Sequence, residues 1–131
     1  MDVTPTPGVG LSLTAFDNRV KNAIANVTLD TNLRQRRNID AVHARGIEAS
    51  IAATLGEVSF DASAAWTDAE AQGSGFAAAL DGNRPSQTPR FVAGATLAWR
   101  PAENWLVSTT LRHVGAQFED DLETDLLPAA T

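Results

Sequence analysis

The stretch FVAGATLAWRPAENWLVSTTLRHVG, residues 91–115, contains two strand-like segments on either side of a short polar turn. Apolar residues occupy every second position of 91–99, and smaller or more polar residues fall between them. A period of two places neighbouring side chains on opposite faces of a β-strand. The turn RPAEN (100–104) contains a proline and lies between two tryptophans. The stretch therefore predicts a β-hairpin whose turn has a tryptophan on each side.

The same alternation recurs along most of the chain, with apolar residues at the odd positions of 9–16 and the even positions of 58–66. The segment 38–55 is less clear, because its alanines also favour a helix. Gly46 in its middle disfavours a helix by about 1 kcal/mol, so we prefer a strand there. The predicted strands are 9–24, 38–55, 58–69, 89–100 and 105–116.

Short turns and longer connections alternate between the predicted strands. The turns at 55–57 and 101–104 are short, whereas the connections at 27–37 and 70–88 are longer and more polar. This asymmetry is typical of transmembrane β-barrels, which have short periplasmic turns and longer extracellular loops. The sequence therefore predicts an all-β fold: an antiparallel up-and-down meander of about five strands, forming a segment of a large transmembrane β-barrel. The whole chain, 1–131, is assigned to this partial barrel.

The composition argues against several classes of protein and site. Acidic residues outnumber basic ones by 16 to 10, and the resulting net charge of −6 disfavours a nucleic-acid partner. The chain has no cysteine, so it forms neither disulfides nor thiolate metal sites. The sequence contains no run of about 18 apolar residues, so it predicts no transmembrane helix. The motifs of serine hydrolases, phosphate-binding loops and zinc sites are also missing, so we expect no catalytic residue, no metal and no cofactor.

Four aromatic residues lie at the ends of predicted strands: Trp66, Phe91, Trp99 and Trp105. Phe91 and Trp99 are eight residues apart on one face, which corresponds to about 26 Å along a strand. At a tilt near 45° this becomes about 19 Å across the membrane, close to the ~25 Å apolar band of an outer-membrane barrel. Because indole rings favour the interface between lipid and water, we expect these residues at the two membrane interfaces. The alternation alone leaves a second interpretation open, in which they are core residues beneath a sheet.

Four stretches of the chain stand out by their order and spacing. They are LTAFDNRVKNAIAN (13–26), RQRRNIDAVHARGIEAS (34–50), LDGNRPSQTPRF (80–91) and AWRPAENWLVSTTLRHVGAQFEDDL (98–122). Together they resemble consecutive segments of a TonB-dependent outer-membrane receptor, in the later strands of its barrel. ARGIE resembles the Gly–apolar–Glu pattern of a descending barrel strand, and RPSQTPRF resembles the proline-containing start of the next strand. The resemblance covers nearly the whole chain, from about residue 3 to about residue 127.

The resemblance implies a receptor in the outer membrane of a Gram-negative bacterium. Such receptors bind scarce nutrients at the cell surface, usually ferric siderophores, and import them with energy relayed by the TonB complex. Their barrel has 22 strands and a plugged lumen. The amino terminus MDVTPTPGVG lacks the features of a signal peptide and no plug domain is evident, so we expect a fragment of the barrel. The expected partners are outer-membrane lipid, a siderophore or similar solute, and the TonB complex through the plug of an intact receptor.

The resemblance also implies a position for several polar residues in the predicted strands. In a barrel these side chains would face the aqueous lumen, where charge costs little, rather than lipid, where it costs several kcal/mol. The expected lumen-facing residues are Glu48, Asp61, Ser63, Arg90 and Arg112. They would line the solute path or contact the plug, and the alternative is that they are simply solvated.

Arginines cluster in the two long loops. Their planar guanidinium groups offer several donors to an anionic siderophore, so they are candidates for ligand binding. The candidates are Arg34, Arg36, Arg37 and Arg84. The alternative is contact with lipopolysaccharide phosphates, or a contribution to solubility alone.

Two further features of the sequence resemble sites: an acidic segment and the two histidines. The acidic segment FEDDLETD (118–125) lacks the glycine and ligand spacing of an EF-hand loop, so we expect a solvated loop rather than a calcium site. His43 and His113 are the only histidines, and the sequence shows no acidic partner for either. Two alternatives to a receptor stay open: a soluble β-meander that acts as a binding module, and a small alanine-rich α/β protein.

Overall fold

The computed structural model of the chain describes residues 1–30 and 33–131 and consists mainly of antiparallel strands. In chain order the strands are β1 (Asp2–Thr6), β2 (Val9–Lys21), β3 (Ile24–Asp30), β4 (Leu33–Asn38), β5 (Ala41–Leu55), β6 (Val58–Gln72), β7 (Phe91–Ala102), β8 (Trp105–Val114), β9 (Gln117–Phe118) and β10 (Leu126–Leu127). A 3-10 helix spans Gly75–Leu80, between β6 and β7.

Six of these strands form one antiparallel sheet in the order β1-β2-β5-β6-β7-β8. The five predicted strands are all present, as β2 and β5 to β8, and the helical interpretation of 38–55 is wrong. Strand β1 is absent from the predicted strands, because its segment contains a proline and lacks a long alternating pattern. Two further elements were not predicted: the hairpin of β3 and β4, which occupies most of the predicted connection at 27–37, and the 3-10 helix within 70–88.

The register separates two chemically different faces of the sheet. One row of direct cross-strand neighbours consists of Leu11, Ile51, Ala62, Ala95 and Leu111. The adjacent row, on the opposite face, consists of Ser12, Ser50, Ser63, Gly94 and Arg112. We define the apolar face as the odd-numbered residues of β2, β5, β7 and β8 and the even-numbered residues of β6; the polar face comprises the remaining residues of these strands. A shift of one residue in any strand would move the apolar side chains of that strand to the polar face. The observed register keeps them together, so the strand pairing agrees with the alternation in the sequence.

The apolar face exposes many large side chains. They are Leu11, Leu13, Ile47, Leu55, Val58, Phe60, Trp66, Phe91, Leu97, Trp99, Trp105, Val107 and Leu111. Within residues 1–30 and 33–131, no helix or strand packs across this face as a second layer. Exposed apolar surface on this scale marks a contact with another apolar phase or partner, because soluble proteins rarely leave it in water.

The two ends of the sheet differ as the sequence predicted. The hairpin turns at 7–8, 56–57 and 103–104 all lie at one end, which we call the turn end. The opposite end, which we call the loop end, carries the β3–β4 hairpin and the segments 73–90 and 115–129.

A small hydrophobic core lies at the loop end. It consists of Val27, Ile39, Ala71, Ala77 and Leu80, with Val42 packed against it. Val42 and Ala71 are direct cross-strand partners and both belong to the polar face, so the loops fold over that face. None of the described helical segments has the length and apolar character needed to cross a membrane.

Candidate functional site

Four of the five predicted lumen-facing residues share one groove on the polar face. This polar groove, of about 780 Å³, is lined by Glu48, Asp61 and Arg112 among small side chains of β2 and β5 to β8. Ser63 lines the groove as well. It lies in one cross-strand row with Gly94 and Arg112. The groove brings both signs of charge onto one open surface.

Arg90 does not line the polar groove. Its Nη2 atom lies 3.6 Å from Asp68 Oδ1, and Asp68 Oδ2 accepts a hydrogen bond from Arg45 Nη2 at 3.0 Å. Arg45 and Asp68 are direct cross-strand partners on the apolar face, at the loop end beyond Ile47 and Trp66. Arg90 therefore joins a charged cluster on the other side of the sheet from the predicted lumen-facing set.

The aromatic residues lie at the two ends of the sheet, eight residues apart along β7. Trp66 and Phe91 are direct partners near the loop end, and Trp99 faces Val58 near the turn end. Trp105 begins β8 beside the last turn. All four side chains are exposed on the apolar face. The second interpretation, aromatic residues buried beneath a sheet, is therefore wrong, whereas their position at a membrane interface stays a prediction.

Two of the four candidate arginines meet in one cavity at the loop end. This loop-end cavity has a volume of about 360 Å³ and is lined by Arg36 and Arg84. Its apolar lining includes Ile39, Val42 and Leu80, which also belong to or contact the small core. The lining combines two arginines and one acid, Asp121, with apolar walls. Its surplus of one positive charge suits an amphipathic anion.

The other two arginines do not line this cavity. The Arg37 guanidinium lies 4.9 Å from the centre of the Phe76 ring, and Arg37 Nε donates a hydrogen bond to Gln35 Oε1 at 3.0 Å. Arg34 is exposed on β4. The Arg84 guanidinium lies 5.5 Å from the centre of the Phe118 ring, in a cation–π contact with a residue that is not part of the cavity lining.

The acidic segment 118–125 is not the solvated loop that the sequence predicted. Asp120 is buried, and its carboxylate accepts hydrogen bonds from Leu122 N, Thr124 N, Thr124 Oγ1 and Asp125 N at 2.8 to 3.0 Å. Glu123 Oε1 accepts the backbone N–H of Arg84 at 2.8 Å. The acids therefore satisfy backbone donors of the loops. Among the described residues, no group of three or more histidines and acids could hold a metal ion.

The pKa of Asp120 reflects two opposed effects. Burial by itself raises the pKa, because it disfavours the charged form. The hydrogen bonds from the Thr124 hydroxyl and from the backbone N–H groups of Asp125, Leu122 and Thr124 favour the carboxylate and outweigh burial. The pKa of Asp120 is therefore held below its usual value of 3.8.

His43 has an acidic partner that was not predicted from the sequence. Its Nε2 atom hydrogen-bonds to Oδ1 of Asp17 at 2.7 Å, across the pairing of β2 with β5. Both residues belong to the apolar face, at its loop end. The sequence contains a signal for this charged cluster. Just beyond Ile47 and Trp66, the positions that belong to the apolar face are occupied by Asp17, His43, Arg45 and Asp68.

A family model described as TonB dependent receptor-like, β-barrel matches residues 4–130. The chain matches no curated protein.

Proposed function

Because the chain belongs to the TonB-dependent receptor-like β-barrel family, we propose that it forms part of the wall of an outer-membrane receptor that imports an anionic ferric siderophore. Members of the family are outer-membrane receptors and transporters, not enzymes. Interaction with TonB and binding of a solute are general properties of the family. In this proposal the chain is a partial barrel, and the TonB complex acts on it through the plug of an intact receptor.

The observation that carries the proposal is the two-faced register of the six-stranded sheet. In a barrel wall the apolar face would contact lipid and the polar face would contact the aqueous interior. Four polar residues, Glu48, Asp61, Ser63 and Arg112, would then line the solute path below the loops. Trp66 and Phe91 would lie at one membrane interface, with Trp99 and Trp105 at the other.

The proposed solute chemistry rests on the loop-end cavity. Arg36 and Arg84 would bind the anionic groups of the siderophore, and the apolar lining would contact its hydrocarbon parts. Lipopolysaccharide phosphate is the competing anion for Arg34, which is exposed on β4 outside this cavity.

The solute can be tested by titration calorimetry with the chain refolded in detergent micelles. A trianionic ferric tris-catecholate should bind more tightly than an uncharged ferric tris-hydroxamate. Arg36→Gln and Arg84→Gln should each weaken the catecholate complex by about tenfold, because each removes about 1.5 kcal/mol of charge-assisted hydrogen bonding. Arg100→Gln, at the turn end, is the matched control and should leave the affinity unchanged.

Two outcomes would reject different parts of the proposal. Equal affinity for the two iron complexes, or no effect of either substitution, would reject the siderophore and leave the receptor class in place. A cooperatively folded, monodisperse monomer in buffer without detergent would reject the membrane wall itself and favour the soluble binding module.

A further inference from the structure

One side of the loop-end cavity is fixed by a contact between Asp121 and the β3–β4 hairpin. Asp121 Oδ2 accepts the backbone N–H of Asn26 at 3.0 Å, and Asn26 of β3 is the direct cross-strand partner of Arg36 in β4. Since this N–H points to Asp121 and not to β4, Asn26 and Arg36 form a non-hydrogen-bonded pair, whose Cα atoms are only about 4.5 Å apart. The carboxylate of Asp121 therefore holds the hairpin close to the point from which the Arg36 side chain extends.

The other side of the cavity is attached to the same residue. Asp121 Oδ1 accepts the backbone N–H of Ser86 at 2.9 Å, and the Asp121 carbonyl accepts a hydrogen bond from Asn83 Nδ2 at 3.0 Å. The backbone N–H of Arg84, which lies between these two contacts, donates to Glu123 Oε1 at 2.8 Å. The backbone on both sides of Arg84 is therefore held by one short acidic segment.

Asp121 also brings a negative charge to the cavity. It lines the cavity together with Arg36 and Arg84, and both of its carboxylate oxygens accept backbone N–H groups. Glu123 is not part of the lining, and the buried Asp120 carboxylate is hydrogen-bonded within its own loop. Because the charge of Asp121 by itself disfavours an anion, a favourable contribution to anion binding can come only from the places in which it holds the two arginines.

We propose that Asp121 is a positioning residue, which fixes Arg36 and Arg84 relative to each other so that the cavity selects an anion with two separated anionic groups over an anion with one. Once one group of such a ligand is bound to one arginine, its second group meets the other arginine at a high effective concentration, provided that the two arginines do not move apart. A small anion that contacts a single arginine gains nothing from this arrangement. The inference rests on the anionic solute of the proposed function, and it adds that this solute presents at least two anionic groups to the cavity.

Titration calorimetry of the chain in detergent micelles tests the proposal with two anions that contain the same aromatic ring. A ferric tris-catecholate presents several anionic rings, whereas 2,3-dihydroxybenzoate is a single ring with one carboxylate. Asp121→Ala should weaken binding of the iron complex by about tenfold, the loss expected when one of two arginine contacts is no longer made. Binding of dihydroxybenzoate should be unchanged or tighter, because a negative charge is removed from the cavity wall. A purely structural defect would instead weaken the binding of both anions.

Further variants separate position from charge. Asp121→Asn should also lower the preference for the iron complex, because one amide oxygen cannot accept both backbone N–H groups, and it replaces the alanine variant if that variant does not refold. Glu119→Ala removes the same charge from an exposed position of the same segment and should leave the preference unchanged. In the Asp121→Ala chain, Arg36→Gln should weaken the iron complex by less than about threefold, because the two arginines no longer act together.

The opposite results overturn the proposal in distinguishable ways. An unchanged preference in the Asp121 variants, or an equal loss of both anions, would overturn the positioning role and leave the anionic solute in place. An effect of Arg36→Gln that is as large in the Asp121→Ala chain as in the parent would do the same. Failure of the parent chain to bind the iron complex would reject the siderophore, and the inference about Asp121 would fail with it.

Discussion

The carboxylate of Asp121 accepts the backbone N–H of Asn26 at 3.0 Å, although the two residues are 95 positions apart in the chain. Its other oxygen accepts the backbone N–H of Ser86 at 2.9 Å, and Asn83 Nδ2 donates to the Asp121 carbonyl at 3.0 Å. One residue therefore connects the β3–β4 hairpin to the segment that precedes β7. The loop-end cavity is bounded by these same two loops, so its shape depends on Asp121.

We expect Asp121→Ala to open the loop end. The substitution removes two charge-assisted hydrogen bonds to partly exposed backbone groups, with a combined loss of about 2 kcal/mol. Amide hydrogen exchange at Asn26 and Ser86 should become roughly 30-fold faster, whereas exchange in the middle of β6 should not change. Glu119→Ala, an exposed acid in the same segment, is the control. Unchanged exchange at Asn26 would show that the small core alone holds the hairpin.

The stability of the acidic segment should depend on pH through Asp120. Its pKa in the folded chain lies below the usual value of 3.8, so the ionised carboxylate stabilises the folded loop fully above that value. This stabilisation is lost as the pH falls from 3.8 through the lower pKa of the folded state. Protection of the Leu122, Thr124 and Asp125 amides, corrected for intrinsic exchange rates, should therefore fall over that range.

Asp120→Asn provides the comparison for this pH dependence. An amide oxygen can replace only one carboxylate oxygen, so the variant should show weaker protection at neutral pH and little further loss on acidification. Glu119→Gln should behave like the unsubstituted chain. An acid transition of the same size in Asp120→Asn would assign the effect to another group.

Gly46 of β5 and Gly94 of β7 both lie on the polar face of the sheet, but the space around the two glycines differs. A Cβ atom at Gly46 would lie 2.2 Å from the Trp66 carbonyl oxygen and 2.7 Å from Cζ of Phe16, whose ring covers the glycine. At Gly94 the nearest atom would be the Leu111 carbonyl oxygen, at 3.7 Å. We expect Gly46→Ala to destabilise the folded chain by about 1–3 kcal/mol in urea titrations, because backbone must move. Gly94→Ala should be close to neutral, and an equal cost at both positions would contradict this account.

Charge on the two faces should have unequal costs. Ala62 lies midway along the apolar face, whereas Ala65 lies on the polar face opposite Glu48. In phosphatidylcholine vesicles, Ala62→Arg should lower the free energy of unfolding by about 2–4 kcal/mol, since the charge would enter hydrocarbon. Ala65→Arg should cost less than about 1 kcal/mol, and tryptophan fluorescence during urea unfolding measures both. Similar costs for the two variants would place neither face in lipid.

The sequence by itself determined which side chains share a face. Strict alternation in 58–66 and 91–99 leaves only one pairing parity that keeps apolar residues together, and the register follows it without a break. The same logic located the aromatic residues at the two ends of the strands and the short turns at one end. Local pattern sufficed because the period of a strand is set by its own backbone.

The tertiary structure alone decided how the loops and charges are arranged. The prolines near β1 prevented its prediction as a strand. The β3–β4 hairpin was not predicted because it lacks the regular alternation of apolar and polar residues that identifies a strand. The sequence could not show that Arg36 and Arg84 share a cavity while Arg37 stacks on Phe76. Nor could it show that Arg90, just before β7, contacts Asp68 of β6. These contacts join residues far apart in the chain, through flexible side chains and turns whose direction no local period fixes. Only the folded sheet, by setting where each strand ends, brings them together.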